Sequence, residues 1–192
     1  MIVSRRAVTS RLLLLAVLPV GCASPTPVLY TLDAVQGAAL SGGPKVVVLQ
    51  DVGLAPYLDR KQIVRSSSDY HIDVETNSWW GETFTAMIGR VLTAEIDQRL
   101  PGTNVFGESG AVTPTPDATV AVNITRFDVD DSGTVVLSAQ IGVSFTRRRH
   151  REVSSNLHFT VPTTTHDVTG QVVAMSAALG QLADALAHAL AG

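Results

Sequence analysis

From Val135 to Phe145 every second residue is apolar: Val135, Leu137, Ala139, Ile141, Val143 and Phe145. Alternation of this kind places successive side chains on opposite faces of a strand and marks one face as buried. A strand this long and this regular needs paired neighbours and a covering layer, so the chain must build a sheet with one dry side. The flanking segments supply the neighbours. Val120, Val122 and Ile124 share one face, whereas Phe127 and Val129 have the opposite parity. A bulge near Thr125-Arg126 would return both sets to the same side. Asp130-Asp131-Ser132-Gly133 is a turn. Beyond a second turn at Arg147 to Arg151, Val153, Leu157, Phe159 and Val161 alternate again. The pattern predicts a three-stranded meander.

Two helical stripes can cover it. Trp80, Phe84, Met87, Ile88, Val91, Leu92, Ile96 and Leu100 recur at spacings of three and four. They predict a helix opened by the Trp79-Trp80 pair, capped by Asn77 or Ser78, and stopped by Pro101-Gly102. Glu82 then falls in the first turn and Arg99 in the last, as the helix dipole favours. Val172, Met175, Leu179, Leu182, Leu186 and Leu190 form a second stripe over an alanine-rich segment from Val168 to Leu190. Earlier in the chain, Val28 to Leu32 and Val46 to Leu49 read as strands. A hairpin turns at Ser66-Ser67-Ser68-Asp69, with Tyr70, Ile72 and Val74 alternating on its return, and Thr103 to Phe106 reads as a short strand. The expected fold is α+β, a two-layer sandwich with a mostly antiparallel sheet and two long amphipathic helices. One domain is expected over residues 28–192.

The N-terminus has a different character. Arg5, Arg6 and Arg11 precede an apolar run from Leu12 to Val20, followed by Gly21 and Cys22. The run is too short to span a bilayer, which takes roughly 20 apolar residues, and the order of charge, apolar core and small residue is that of a secretion leader. Cys22 is the only cysteine of the chain and stands at the cleavage position. The reading is a lipoprotein signal over residues 1–21, cut between Gly21 and Cys22, with lipid on Cys22 and a short tether over residues 22–27. Ser4-Arg5-Arg6 leaves both the general and the twin-arginine export route open. No second long apolar run is evident, so an anchored chain is expected rather than a spanning one. Removal of the three leader arginines from 14 basic and 17 acidic residues leaves a formal charge of −6 on the mature chain. That balance excludes a nucleic-acid binder, which needs a basic face, and argues against general adhesion to anionic lipid.

Catalytic patterns are missing. His71, His150, His158, His166 and His188 match no metal spacing, and no cysteine lies near them. Gly107-Glu108-Ser109-Gly110-Ala111 lacks the final glycine of a nucleophile elbow and falls in a predicted loop. Asp128, Asp130 and Asp131 lie at a hairpin turn without a calcium-binding loop. No catalytic residue, metal or cofactor is expected. Arg147-Arg148-Arg149-His150-Arg151 reads as a solvated tip, with an acidic partner or lipid headgroups as the sharper alternative. Of the tryptophan pair, one ring is expected to face the core and the other a crevice.

One stretch carries more than generic pattern. Val52-Gly53-Leu54-Ala55-Pro56-Tyr57-Leu58-Asp59-Arg60, with Gln62-Ile63-Val64-Arg65, resembles the signature of the ABC-type transport auxiliary lipoproteins. This is the PqiC/YmbA-like family, associated with MCE-type lipid transport systems. Tyr30-Thr31-Leu32, the tryptophan before the long helix, Arg90-Val91-Leu92 and Leu100-Pro101 extend the resemblance over most of the mature chain. The resemblance implies a non-enzymatic accessory of a machine that moves phospholipid or other hydrophobic cargo between membranes. It implies an MCE-domain partner, a membrane anchor through Cys22 and, with Ala23 rather than aspartate next, the periplasmic face of the outer membrane. Cargo, direction and homo-oligomer formation stay open. The signature residues Pro56, Tyr57, Leu58, Asp59, Arg60, Gln62, Ile63 and Val64 form either a structural crossing or an interface. In the structural version, Asp59 or Arg60 fixes the crossing by hydrogen bonds to backbone and Tyr57 packs over it. The rival function is a lipid-anchored structural or assembly factor unrelated to lipid traffic.

Overall fold

The computed structural model describes residues 26–68, 70–146 and 151–192. Gly21, Cys22 and the predicted leader lie outside the described residues, as do Arg147 to His150 of the basic cluster. Among the described residues, nine strands and two helices follow in the order β1 (Val28–Tyr30), β2 (Val46–Leu49), β3 (Gly53–Leu54), β4 (Gln62–Ser68), β5 (His71–Trp80), α1 (Phe84–Arg99), β6 (Asn104–Gly107), β7 (Ala118–Val129), β8 (Thr134–Phe145), β9 (Glu152–Pro162) and α2 (Val168–Ala191).

β7 is the spine of the sheet. Along one edge it pairs antiparallel with β8, and β8 with β9, which is the expected meander. Along its other edge three short strands arrive in succession, all parallel to it: β2 opposite Ala118 to Val120, β3 opposite Asn123 and Ile124, and β4 at Val129. The sheet therefore forks. One arm ends in β6, parallel to β2; the other runs through the antiparallel β4–β5 hairpin to β1, which is parallel to β5. The antiparallel expectation holds for the meander and the hairpin and fails at the other five joins. Single-strand periodicity fixes which face a strand buries; it carries nothing about the direction of a neighbour brought in by a crossover.

The predicted bulge is present: the β7–β8 register shifts between Ile124 and Arg126. Phe127 and Val129 thereby join Val120, Val122 and Ile124 in the core. β8 buries all six of its alternating apolar residues, and α1 and α2 complete the same core. Glu95 and Arg99 are also buried between the helices.

The start of α1 differs from expectation. β5 continues through Trp79 and Trp80, held by ladder pairs to Gln62 and β1 and by the Trp80 N–H donating to the Lys61 carbonyl at 2.7 Å. The helix begins only at Phe84, with Thr83 as N-cap and no acidic residue in its first turn. Trp80 kept helical phase with Phe84 because it stacks on it from the strand end, with ring centroids 4.5 Å apart. Glu82 precedes the helix and pairs with Arg90 at 2.7 Å. α2 matches its predicted span, with Asp167 accepting from the Gly170 N–H at 2.8 Å as cap. It is apolar and long enough to cross a bilayer, contrary to the expectation of no second such segment, but most of its residues are buried in the core.

Between β1 and β2 the chain runs extended as a strap across the two helices. Its backbone is held by their side chains: the Leu32 N–H by Met87 Sδ, Asp33 by Ser176 Oγ at 3.1 Å, Val35 by Glu95 at 2.7 Å and Gly37 by Gln98 at 3.0 Å. These bonds replace the ladder that an extended segment would otherwise need.

Candidate functional site

The signature folds as a compact turn joining β3 to β4. Leu58 N–H donates to the Ala55 carbonyl at 2.9 Å, Asp59 N–H to Pro56 at 3.3 Å and Arg60 N–H to Leu58 at 2.9 Å. Pro56 suits this path because its fixed φ favours turns and its missing N–H is not needed in a ladder. The turn sorts its residues by side. Leu58, Ile63 and Val64 are buried in the core, and Gln62 pairs opposite Trp79 in the hairpin. Pro56, Asp59 and Arg60 are exposed.

Tyr57 is half-buried, and its hydroxyl donates to Asp128 Oδ2 at 2.7 Å. Asp128 is 0% exposed, and its other oxygen accepts from Arg126 Nε at 2.8 Å. The β7 bulge creates this arrangement. After it, Phe127 and Val129 return to the core side, while Arg126 and Asp128 project from the other face opposite Ser138 and Val136. A buried carboxylate is tolerated only when its lone pairs are bonded, and Tyr57 and Arg126 bond to it from two elements. Asp128, read in sequence as part of a polar turn, is thus the partner of the signature tyrosine. The parity break at Phe127 was the signal that could have pointed to it.

The expectation that Asp59 or Arg60 fixes the crossing is corrected. Neither side chain bonds to backbone among the described residues; the turn's own backbone and Tyr57 hold it. Asp59 and Arg60 instead line a cleft of about 470 Å³ with Leu29, Lys61, Trp79 and Glu82. Its walls are tied by the Trp80 N–H to the Lys61 carbonyl and by the Gly81 N–H to the Tyr30 carbonyl at 2.8 Å. Its floor is aromatic: Trp80 stacks on Phe84, and Phe84 on Phe127 at 5.8 Å. Trp80 faces the core and Trp79 the crevice, the division expected of the pair.

A second cleft, of about 460 Å³, opens at the C-terminal ends of β2 and β6 beside α1, lined among others by Asp51, Gly89, Arg90, Glu108 and Ser109. Ser109 donates to the Asp51 carboxylate, and no histidine lines the cleft. His158 bonds to Ser138 at 3.0 Å on the sheet's polar face. Among the described residues no group of three His, Cys, Asp or Glu is placed to hold a metal ion.

Two further buried ionisable groups lie under the strap. Arg99 is 1% exposed; it donates to Asp184 at 2.5 Å and to the carbonyls of Val35 at 3.0 Å, Gly180 at 3.1 Å and Glu95 at 3.2 Å. Arg99 lies in the last turn of α1, as expected, but it is buried there and acts as a strut joining α1, α2 and the strap. One turn away, Glu95 has one oxygen on the Val35 N–H and the other without a partner. Burial pushes its carboxyl up to about 7, against the lowering effects of the Val35 hydrogen bond and Arg99. The i, i+4 spacing of an acid and a base beside an apolar stripe was the available hint.

Residues 30–187 match the family described as the ABC-type transport auxiliary lipoprotein component. No curated protein matches the chain. Among solved structures, an uncharacterized protein superposes with a TM-score of 0.72 at 18% identity, covering 86% of this chain and 99% of its own. A protein from Xanthomonas campestris superposes with a TM-score of 0.63 at 15% identity, covering 86% and 93% respectively. At these identities the likeness is one of fold.

Proposed function

The chain belongs to the ABC-type transport auxiliary lipoprotein components, and from that premise we propose that it serves an MCE-type envelope transport system as a docking or scaffolding subunit. In this reading Cys22 carries the lipid, the protein sits on the periplasmic face of the outer membrane, and the cargo handled by the complex is phospholipid or another hydrophobic molecule. The subunit itself performs no chemistry. The observation that carries the docking reading is the division of the signature into two sides. Tyr57, Leu58, Ile63 and Val64 are committed to the fold, while Asp59, Arg60 and Lys61 stand exposed along the rim of a cleft. Direct shuttling of lipid would instead call for an apolar cavity that encloses acyl chains. Both clefts described above carry charged residues along their walls.

The test is co-purification of the lipidated protein with an MCE-domain subunit from the same cells. The expected result is a complex that survives detergent extraction. A folded, lipidated chain that repeatedly fails to bring down that subunit would reject the reading. Cys22→Ser should release a folded domain into the periplasm and impair transport; full transport by the soluble form would remove the anchor from the mechanism.

A further inference from the structure

The anchor reading places a lipid only six residues before Val28. At most about 3.6 Å per residue of extended chain allows a leash of roughly 20 Å, comparable to the radius of gyration of about 15 Å expected for a domain of this length. On such a leash β1 cannot face away from the bilayer. β1 is a short edge strand of three residues with no charge, and its Val28 and Leu29 are 55% and 63% exposed. Leu29 pairs in the ladder with Trp79, and both line the cleft beside the signature turn. The Trp79 indole N–H already donates to the Thr76 carbonyl at 3.2 Å, so its ring can enter an apolar boundary without leaving a bare donor. Tryptophan favours that boundary in membranes. The remaining walls carry Arg60 and Lys61 beside Asp59 and Glu82, with Glu82 held by Arg90.

We propose that this cleft and edge strand form the membrane-seating face of the protein: Leu29 and Trp79 rest in the interface, and Arg60 and Lys61 meet phospholipid phosphates. The proposal rests on the Cys22 anchor. The mature chain is acidic overall, so attraction to a phosphate layer has to be local, and these two cations stand where the leash holds the domain. Each basic residue at an anionic surface strengthens binding by about fivefold. Asp59 is placed to meet the ammonium of a zwitterionic headgroup, which suits phosphatidylethanolamine better than a purely anionic surface.

The chain has two tryptophans, and Trp80 is buried at the floor of the cleft, so the part of the quenching that Trp79→Phe removes reads Trp79. The lipidated full-length mature protein is reconstituted on phosphatidylethanolamine/phosphatidylglycerol vesicles with either brominated or plain acyl chains, and flotation is measured alongside fluorescence. The expected result is flotation together with loss of indole emission on brominated vesicles, most of it removed in Trp79→Phe. A variant combining Leu29→Asp, Arg60→Glu and Lys61→Glu should float but escape quenching. Wild-type protein that floats with equal emission on both vesicle types would overturn the proposal, as would a charge-reversed variant quenched like the wild type. Protection of Trp79 from a soluble quencher only on addition of the MCE-domain subunit would make the cleft a protein-docking site and equally overturn it. Failure to float at all, shared with Cys22→Ser, would instead sink the anchor reading and this proposal with it.

Discussion

Glu95 makes the fold sensitive to pH in a direction opposite to that of most carboxylates. Burial against α2 and the strap raises its pKa from 4.5 to about 7, so the folded chain holds a proton that the unfolded chain releases. Below pH about 4.5 both states are protonated and the group costs nothing. Between about 4.5 and 7 the unfolded state binds fewer protons, and stability therefore falls as pH rises. Above 7 the loss is complete. At 1.36 kcal/mol per pKa unit it amounts to about 3 kcal/mol. Glu95→Gln keeps an oxygen for the Val35 N–H and cannot ionise. The oxygen it replaces has no partner, so the amide gives up no existing bond. Urea unfolding followed by tryptophan emission from pH 4.5 to 8.5 should show the wild type and the variant converging in acid. At pH 8 the variant should be more stable by up to about 3 kcal/mol, or about 6–12 °C in melting temperature for a chain of this size. Parallel pH curves for the two proteins, or a variant less stable at pH 8, would show that Arg99 keeps Glu95 ionised and that the reasoning from burial is wrong.

Three further outcomes follow from the packing. A Cβ at Gly37 would lie 2.3 Å from Arg99 Nε, so Gly37→Ala should cost roughly 1–3 kcal/mol and speed amide exchange at Val35; an unchanged melt would place the strap off the helices. Tyr57→Phe removes one of the two described bonds to buried Asp128 and should cost about 1–3 kcal/mol while partner binding survives at temperatures where the variant is folded. Loss of binding at unchanged stability would make Tyr57 an interface residue. Phe84→Ala breaks the stack between Trp80 and Phe127 and should cost about 3–5 kcal/mol with a red shift of the Trp80 emission; a shift-free variant would mean that the stack does not shield the indole.

What the sequence made legible follows from the range of each signal. Periodicity is local, and the local features came through: the unbroken strand β8, the bulge in β7, the span of α2 and the turn at Asp130, which accepts from the Ser132 and Thr134 N–H groups. Trp80 shows how a local signal misleads, since a residue stacked on the first turn of a helix keeps the helix's phase while belonging to the preceding strand. Strand direction was not legible, because β2, β3 and β4 each reach β7 by a crossover whose course no window of sequence contains. The buried polar groups were the least visible. Arg99 and Asp184 are 85 positions apart and Tyr57 and Asp128 are 71 apart, and each looks like an ordinary surface residue until its partner is known. These distant pairs bear on function through the same connection. Tyr57 ties the signature turn to β7 through Asp128, and the turn's backbone ties Arg60 and Lys61 to the edge that carries β1. The signature is therefore two physical devices, a brace facing inward through Tyr57 and a rim of Asp59, Arg60 and Lys61 facing outward.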